Sequence, residues 1–131
     1  MQERIGVDTT FTIDFLNGDC GAIAIAKGVC SEALFITPIS IFETFIGLAV
    51  KQRSPEERRI AEGFIDTLEF LGISKESAMH AAEMQASLIR TGKKAQVTDV
   101  LIAAAYLEIG CKKILTRDQN FAKLGLKVMN Y

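Results

Sequence analysis

The residues best placed to do chemistry are four acids at the borders of apolar segments: Asp8, Glu43, Asp99 and Asp118. A buried carboxylate needs a partner that compensates its charge. Neither Asp8 nor Glu43 has a lysine or arginine close to it in the sequence. A divalent cation is a natural partner, because hard cations take oxygen ligands. The four acids are therefore candidate metal ligands.

Each acid also has a purely structural interpretation. Ser40 and Glu43 have the S-x-x-E spacing of a capping box, and Asp99 is favoured at a helix N-terminus by the helix dipole. Asp8 fits an Asx turn, and Asp118 fits a loop ahead of a short helix. The metal hypothesis gains weight only if the fold brings all four together.

The predicted strands and helices would bring the four acids together. Apolar strands alternate with helices, which favours a parallel sheet covered on both faces. We predict strands over residues 4–8, 34–38, 69–73, 113–116 and 126–129, and helices over residues 11–16, 20–31, 40–51, 74–90, 98–109 and 119–123, with a further helix starting at residues 54–57.

In this arrangement Asp8 closes the first strand and Asp118 follows the fourth. Glu43 and Asp99 lie in the first turns of their helices. Strand ends and the helix starts that follow them share one edge of such a sheet. Ligands bind beyond that edge where the strand order reverses. All four acids should therefore meet at one rim.

The composition excludes several other classes of protein. The 131 residues are 49% hydrophobic, which suits one ordinary globular domain over residues 1–131. The only histidine is His80, and no two cysteines have C-x-x-C spacing, so a histidine-rich or C-x-x-C zinc centre is excluded. A net charge of −1 gives no general attraction to nucleic acid. No apolar run approaches the ~20 residues of a membrane span, and we expect a cytoplasmic protein.

Four segments carry sequence patterns in a recognisable order. Residues 5–16 are an apolar strand, then Asp8-Thr9-Thr10 and an apolar helix. In residues 37–43 a strand leads into a helix that carries a glutamate. Residues 98–105 read D-x-L-I-A-A, and residues 115–121 contain T-x-D-x-x-F. Together they resemble the motifs of PIN domains, and most of all those of the VapC-type toxins of prokaryotic toxin–antitoxin pairs.

The resemblance implies a three-layer α/β/α fold with a five-stranded parallel sheet, and Mg²⁺ or Mn²⁺ as cofactor. The implied reaction is hydrolysis of phosphodiester bonds in RNA. Asp8 and Asp99 would bind the metal directly, and Glu43 and Asp118 would complete the cluster directly or through water. Such a metal orients water, lowers its pKa and offsets charge that develops on the phosphate.

Other residues would support this site. Thr9 and Thr116 would orient a ligand or water, unless they are ordinary capping hydroxyls. Arg117 is the basic residue expected nearest the acids and a candidate RNA contact. Asp14 also matches a family preference, and we interpret it as bracing the first helix.

Two protein partners also follow from the resemblance, a second copy of the chain and a small antitoxin that blocks the acidic site. The apolar third helix, with Phe45, Ile46 and Leu48, would serve one of these contacts or lie wholly in the core.

Two departures from the family pattern affect the expected site. Thr10 stands where relatives often have Asn or Ser, and it keeps a hydroxyl without an amide. Asn120 stands where many relatives have Asp, which leaves Asp118 as the only good candidate for the fourth acid.

Two other functions compete with the ribonuclease. One is a metal-dependent phosphatase, although the haloacid-dehalogenase signature needs an acid at the position of Thr10. The other is a PIN-like module that binds RNA or protein without catalysis, which the presence of all four acids disfavours.

Overall fold

In the computed structural model, which describes residues 2–131, five short strands form one sheet whose neighbouring strands all run parallel. The strands are β1 (Arg4–Val7), β2 (Ala33–Ile36), β3 (Glu69–Phe70), β4 (Lys113–Leu115) and β5 (Lys127–Met129). Their order across the sheet is β3-β2-β1-β4-β5. The predicted five-stranded parallel sheet is confirmed.

Helices cover both faces of this sheet. They are α1 (Thr9–Leu16), α2 (Cys20–Gly28), α3 (Pro38–Val50), α4 (Pro55–Asp66), α5 (Lys75–Arg90) and α6 (Val97–Glu108), with a short 3₁₀ helix (Gln119–Leu124) between β4 and β5. One apolar cluster joins the sheet to α1 and α2, and the other joins it to α5 and α6. The consecutive β4 residues Ile114 and Leu115 belong to opposite clusters, as alternation along a strand requires. The predicted three-layer α/β/α architecture is confirmed.

The strand order reverses beside β1. From β1 the chain first extends the sheet on one side through β2 and β3, and then on the other side through β4 and β5. The carboxyl ends of β1 and β4 therefore flank the point where parallel α/β sheets bind ligands. Asp8 follows β1 directly, and residues 116–118 follow β4.

Close packing of Gly6 against Tyr106 sets the position of β1. A Cβ atom on Gly6 would lie 2.4 Å from Cε2 of Tyr106. The Tyr106 side chain is fully buried, and its hydroxyl lies 2.6 Å from the carbonyl oxygen of Val7 and 2.9 Å from that of Phe35. These contacts of Tyr106 hold helix α6 against β1 and β2, at the residue that precedes Asp8.

We expect Gly6→Ala to lower the free energy of unfolding by about 2–3 kcal/mol, because the added methyl overpacks the core and displaces the tyrosine ring. Urea unfolding of the purified protein measures this. Gly63→Ala in α4 is the matched control, since open space surrounds Gly63 and alanine raises helix propensity. A Gly6→Ala protein as stable as wild type would contradict the close packing.

Several helix boundaries differ from the sequence prediction. Helix α1 begins at Thr9, two residues before its predicted start, and Asp8 caps it by accepting a hydrogen bond from the Phe11 N–H. Helix α3 begins at Pro38 with Thr37 as its N-cap, so Glu43 lies in the second turn. The prediction that Glu43 lies in the first turn is therefore wrong, and the alternative interpretation of Ser40 and Glu43 as a capping box does not hold. Helix α2 ends at Gly28, short of the predicted residue 31.

Within residues 2–131, no helix is both long and apolar enough to cross a membrane.

Candidate active site

Asp8 is held rigidly at the end of β1. Its side chain is 4% exposed. Oδ1 accepts from the Phe11 N–H at 3.1 Å and from the Thr10 hydroxyl at 2.8 Å, and Oδ2 accepts from the Thr116 hydroxyl at 2.6 Å. Burial raises the pKa of Asp8 despite these three hydrogen bonds. A buried carboxylate with fixed orientation suits a metal ligand.

Thr10 and Thr116 form a pair of hydroxyls beneath this carboxylate. Their Oγ1 atoms are 3.1 Å apart, and Thr116 also accepts from the Asp118 N–H at 2.9 Å. Thr116 thus joins Asp8 to the loop that carries Asp118. The hydroxyl that Thr10 retains contacts Asp8 directly, although the sequence suggested only a departure from the family pattern.

Glu43 reaches the same edge from α3. The Thr9 hydroxyl donates to its Oε1 at 2.6 Å. Thr9 is the first residue of α1 and directly follows Asp8, so this bond ties the Glu43 carboxylate to the end of β1. Thr9 and Thr116 are therefore both in contact with acids of the site.

Asp99 and Asp118 line an open cleft of about 370 Å³ at this edge. Asp99 lies in the first turn of α6, as predicted. Burial, and then the charges of Asp118, Asp8 and Glu43, raise the pKa of Asp99 to about 6. Asp118 caps the 3₁₀ helix by accepting from the Asn120 N–H at 2.9 Å. The fold thus places all four acids within electrostatic reach of one another.

The four acids fit a hard divalent cation in donor type and in charge. Among residues 2–131 none of the four forms an ion pair with a lysine or arginine. As the side chains of these residues stand, no three His, Cys, Asp or Glu groups converge closely enough to hold an ion. Binding would therefore require carboxylates other than the fixed Asp8 to rotate inward. Oxygen ligands and flexible side chains are compatible with Mg²⁺ or Mn²⁺.

Sequence reasoning missed a network around Asp14. Arg117 forms a two-pronged ion pair with Asp14 (Nε–Oδ2 2.6 Å, Nη2–Oδ1 3.0 Å), and the Tyr131 hydroxyl donates to Oδ2 at 2.6 Å. The Tyr131 ring packs edge-on against Phe11. Asp14 thus joins α1 to the loop beside Asp118, in agreement with the bracing role suggested for it. In the sequence, the one indication of a role for Asp14 was its match to a residue preference of the resembled family.

The fold resembles several solved structures. VapBC2 from Rickettsia felis bound to a promoter DNA fragment has 16% identity and a TM-score of 0.87, and the match covers 97% of this chain and 98% of that one. DNA-bound VapBC from Salmonella typhimurium has 22% identity and a TM-score of 0.81, with 99% and 98% covered. VapC20 from Mycobacterium tuberculosis, a toxin that cleaves the sarcin–ricin loop, has 16% identity and a TM-score of 0.71, with 93% and 95% covered.

No curated protein sequence matches the chain at a significant level. The sequence model of the PIN domain, however, matches residues 5–127, which include all four acids. This match spans nearly the whole chain, and the three-layer fold agrees with it. The chain belongs to the PIN domain family.

Proposed function

We propose that this protein is a metal-dependent endoribonuclease, the toxin of a toxin–antitoxin pair. One observation carries the proposal. Asp8, Glu43, Asp99 and Asp118 are within electrostatic reach of one another at the edge where the strand order reverses, and burial, followed by the charges of the other three acids, raises the pKa of Asp99. Mutual repulsion among carboxylates is a cost that a bound cation removes.

Each residue of the site has a proposed role. Asp8 and Asp99 bind the metal, and Glu43 and Asp118 complete the cluster directly or through water. Thr10 and Thr116 fix the Asp8 carboxylate, and Thr9 fixes Glu43. When bound, Mg²⁺ or Mn²⁺ supplies an activated water and offsets charge on the phosphate. The chain itself contributes four carboxylates as oxygen ligands, of which hydrogen bonds hold Asp8 and Glu43 in place.

Cleavage assays test this proposal. Purified protein is incubated with single-stranded RNA, the matching DNA and a chromogenic phosphate monoester, each with Mg²⁺, Mn²⁺ or EDTA. We expect the protein to cleave internal phosphodiester bonds of the RNA, and we expect EDTA to abolish this cleavage. Hydrolysis of the monoester alone would indicate a phosphatase. RNA binding without cleavage under every metal condition would indicate a module that has lost catalysis.

An antitoxin is the proposed partner that blocks this site. The Rickettsia and Salmonella neighbours are VapBC complexes, and we propose that a small protein presents a basic side chain to the four acids here. Copurification with a tagged chain from the native host should recover such a protein. Recovery of the free chain alone, with no small gene adjacent, would contradict a toxin–antitoxin pair.

An exposed apolar stripe supports a protein contact on α3. Phe42, Ile46 and Val50 recur at helical spacing and are 63%, 47% and 76% exposed, whereas Phe45 and Leu48 are half-buried. A second copy or the antitoxin would cover this stripe. Light scattering on the purified chain distinguishes these two occupants. If the stripe is a homodimer contact, Phe42→Ser with Ile46→Ser lowers the measured mass relative to wild type, whereas loss of an antitoxin contact leaves the mass of the purified chain unchanged.

A further inference from the structure

The cleft beside the acids also carries positive charge. Its lining includes Lys94, Asp99, Asp118 and Lys123. Its walls are the segment that leads into α6 and the 3₁₀ helix. Two exposed lysines thus stand on the same cleft as two of the proposed metal ligands, although the chain as a whole has a net charge of −1.

The two lysines belong to a structured wall. The Lys123 ammonium donates to the carbonyl oxygen of Lys94 at 2.5 Å and so bridges the two sides of the cleft. Its charge partly offsets the rise in the pKa of Asp99, so it lies within electrostatic reach of that acid. In the part of the chain that the structure describes, neither lysine forms an ion pair with a carboxylate. Both charges are available to an anion.

The basic residue next to Asp118 in the chain is already paired. Arg117 is the basic residue adjacent to Asp118, but Asp14 holds its guanidinium at two points. A phosphate that approached Arg117 would have to compete with this ion pair. Of these three basic residues, Lys94 and Lys123 are the two without a carboxylate partner.

We propose that the cleft formed by Lys94 and Lys123 binds backbone phosphates of single-stranded RNA adjacent to the scissile bond, and that Arg117 positions the loop of Asp118 and does not contact RNA. The inference rests on the proposed function, because it takes the four acids as the point of cleavage. Local lysines supply the attraction to phosphate that the overall charge does not. The strand would cross the site toward the 3₁₀ helix.

Fluorescence anisotropy with a labelled single-stranded RNA tests the cleft. Affinity is measured in Mg²⁺ over a salt series, in an Asp8→Asn background to prevent cleavage. We expect Lys94→Gln with Lys123→Gln to weaken binding about tenfold, and to reduce the slope of log affinity against log salt by about 0.7 per lysine. Lys94→Arg with Lys123→Arg should retain the wild-type slope, since the charge is kept.

Lys112→Gln with Lys127→Gln is the matched control. These lysines lie at the amino ends of β4 and β5, at the opposite edge of the sheet. An equal loss of affinity in the two glutamine pairs, or no loss in the cleft pair, would overturn the proposal. So would a fall in slope for Arg117→Gln as large as that for a cleft lysine.

Cleavage by the wild-type protein is scored separately from binding. If wild type cleaves RNA and the cleft pair binds like its control, the cleft assignment alone fails. If wild type cleaves no RNA with either metal, the ribonuclease proposal fails. The salt slopes still decide whether the cleft binds phosphate.

Discussion

Asp8→Asn protein should fold normally and lose metal-dependent RNA cleavage by about 1,000-fold or more. Loss of a direct metal ligand removes several kcal/mol of transition-state stabilisation, and each 1.36 kcal/mol is about tenfold in rate. Asp99→Asn should have a similar effect. Glu43→Gln should reduce cleavage by about 100-fold, as expected of a ligand that acts partly through water.

The local structure explains why Asp8→Asn separates catalysis from folding. Asparagine is as good an N-cap as aspartate, so its side-chain oxygen can still accept from the Phe11 N–H and preserve the start of α1. The new amide faces the Thr116 hydroxyl, which can accept a hydrogen bond in place of donating one. The substitution therefore removes charge with little change of shape.

Initial rates with Mn²⁺ on one RNA measure these losses, and circular dichroism checks the fold. Asp66→Asn and Glu62→Gln on α4 are matched controls, because both acids are exposed on a helix outside the site. Wild-type rates for a folded Asp8→Asn protein would rule out the assignment of the four acids.

The sequence predicts where Asp8 and Asp118 stand relative to the strands because local signals are strong there. Asp8 and Asp118 follow apolar strands, and the strand order brings those two strand ends together. The start of α3 shows how one local signal can override another. Thr37 and Pro38 offer an N-cap followed by proline at the first helical position, a strong helix start. The structure uses it in place of the weaker pairing of Ser40 with Glu43.

Contacts between distant parts of the chain could not be predicted in this way. Asp14 bonds to Arg117 and Tyr131, which lie 103 and 117 positions away. The Thr116 hydroxyl meets Asp8 across 108 positions. No local pattern specifies such pairs, because they depend on the register of β1 and β4. Arg117 looked free in the sequence for this reason, although the fold pairs it with Asp14.

Without metal, the burial of Asp99 and the charges of the acids around it should make the stability of the protein fall as pH rises from about 4 to 6. Asp99 has its pKa raised from 3.8 to about 6 in the folded state. Between these values the folded protein binds more protons than the unfolded chain, so stability decreases with pH. Above pH 6 the full penalty is present, on the order of 1 kcal/mol, because Asp99 is only half-buried and water screens the charges.

Asp99→Asn should remove the contribution of Asp99 to this slope and raise the metal-free melting temperature at pH 7 by a few degrees. Loss of the negative charge in the first turn of α6 works in the opposite direction, at about 0.3–1 kcal/mol. The dependence of stability on pH is therefore a better test of the cost of ionising Asp99 than the melting temperature at a single pH. A slope between pH 4 and 6 that Asp99→Asn leaves unchanged would contradict the raised pKa.

Saturating Mn²⁺ or Mg²⁺ should stabilise the wild-type protein much more than it stabilises Asp8→Asn or Asp99→Asn. An ion present at 1,000 times its Kd adds about 4 kcal/mol to the free energy of unfolding, because it binds the folded site and hardly the unfolded chain. For a domain of this size the melting temperature rises by about 10 °C or more. Asp8→Asn and Asp99→Asn should gain far less, whereas Asp66→Asn should gain as much as wild type. Equal shifts in all four proteins would mean that Asp8 and Asp99 hold no metal. The wild-type gain should also shrink below pH 6, since the metal must then displace the proton on Asp99.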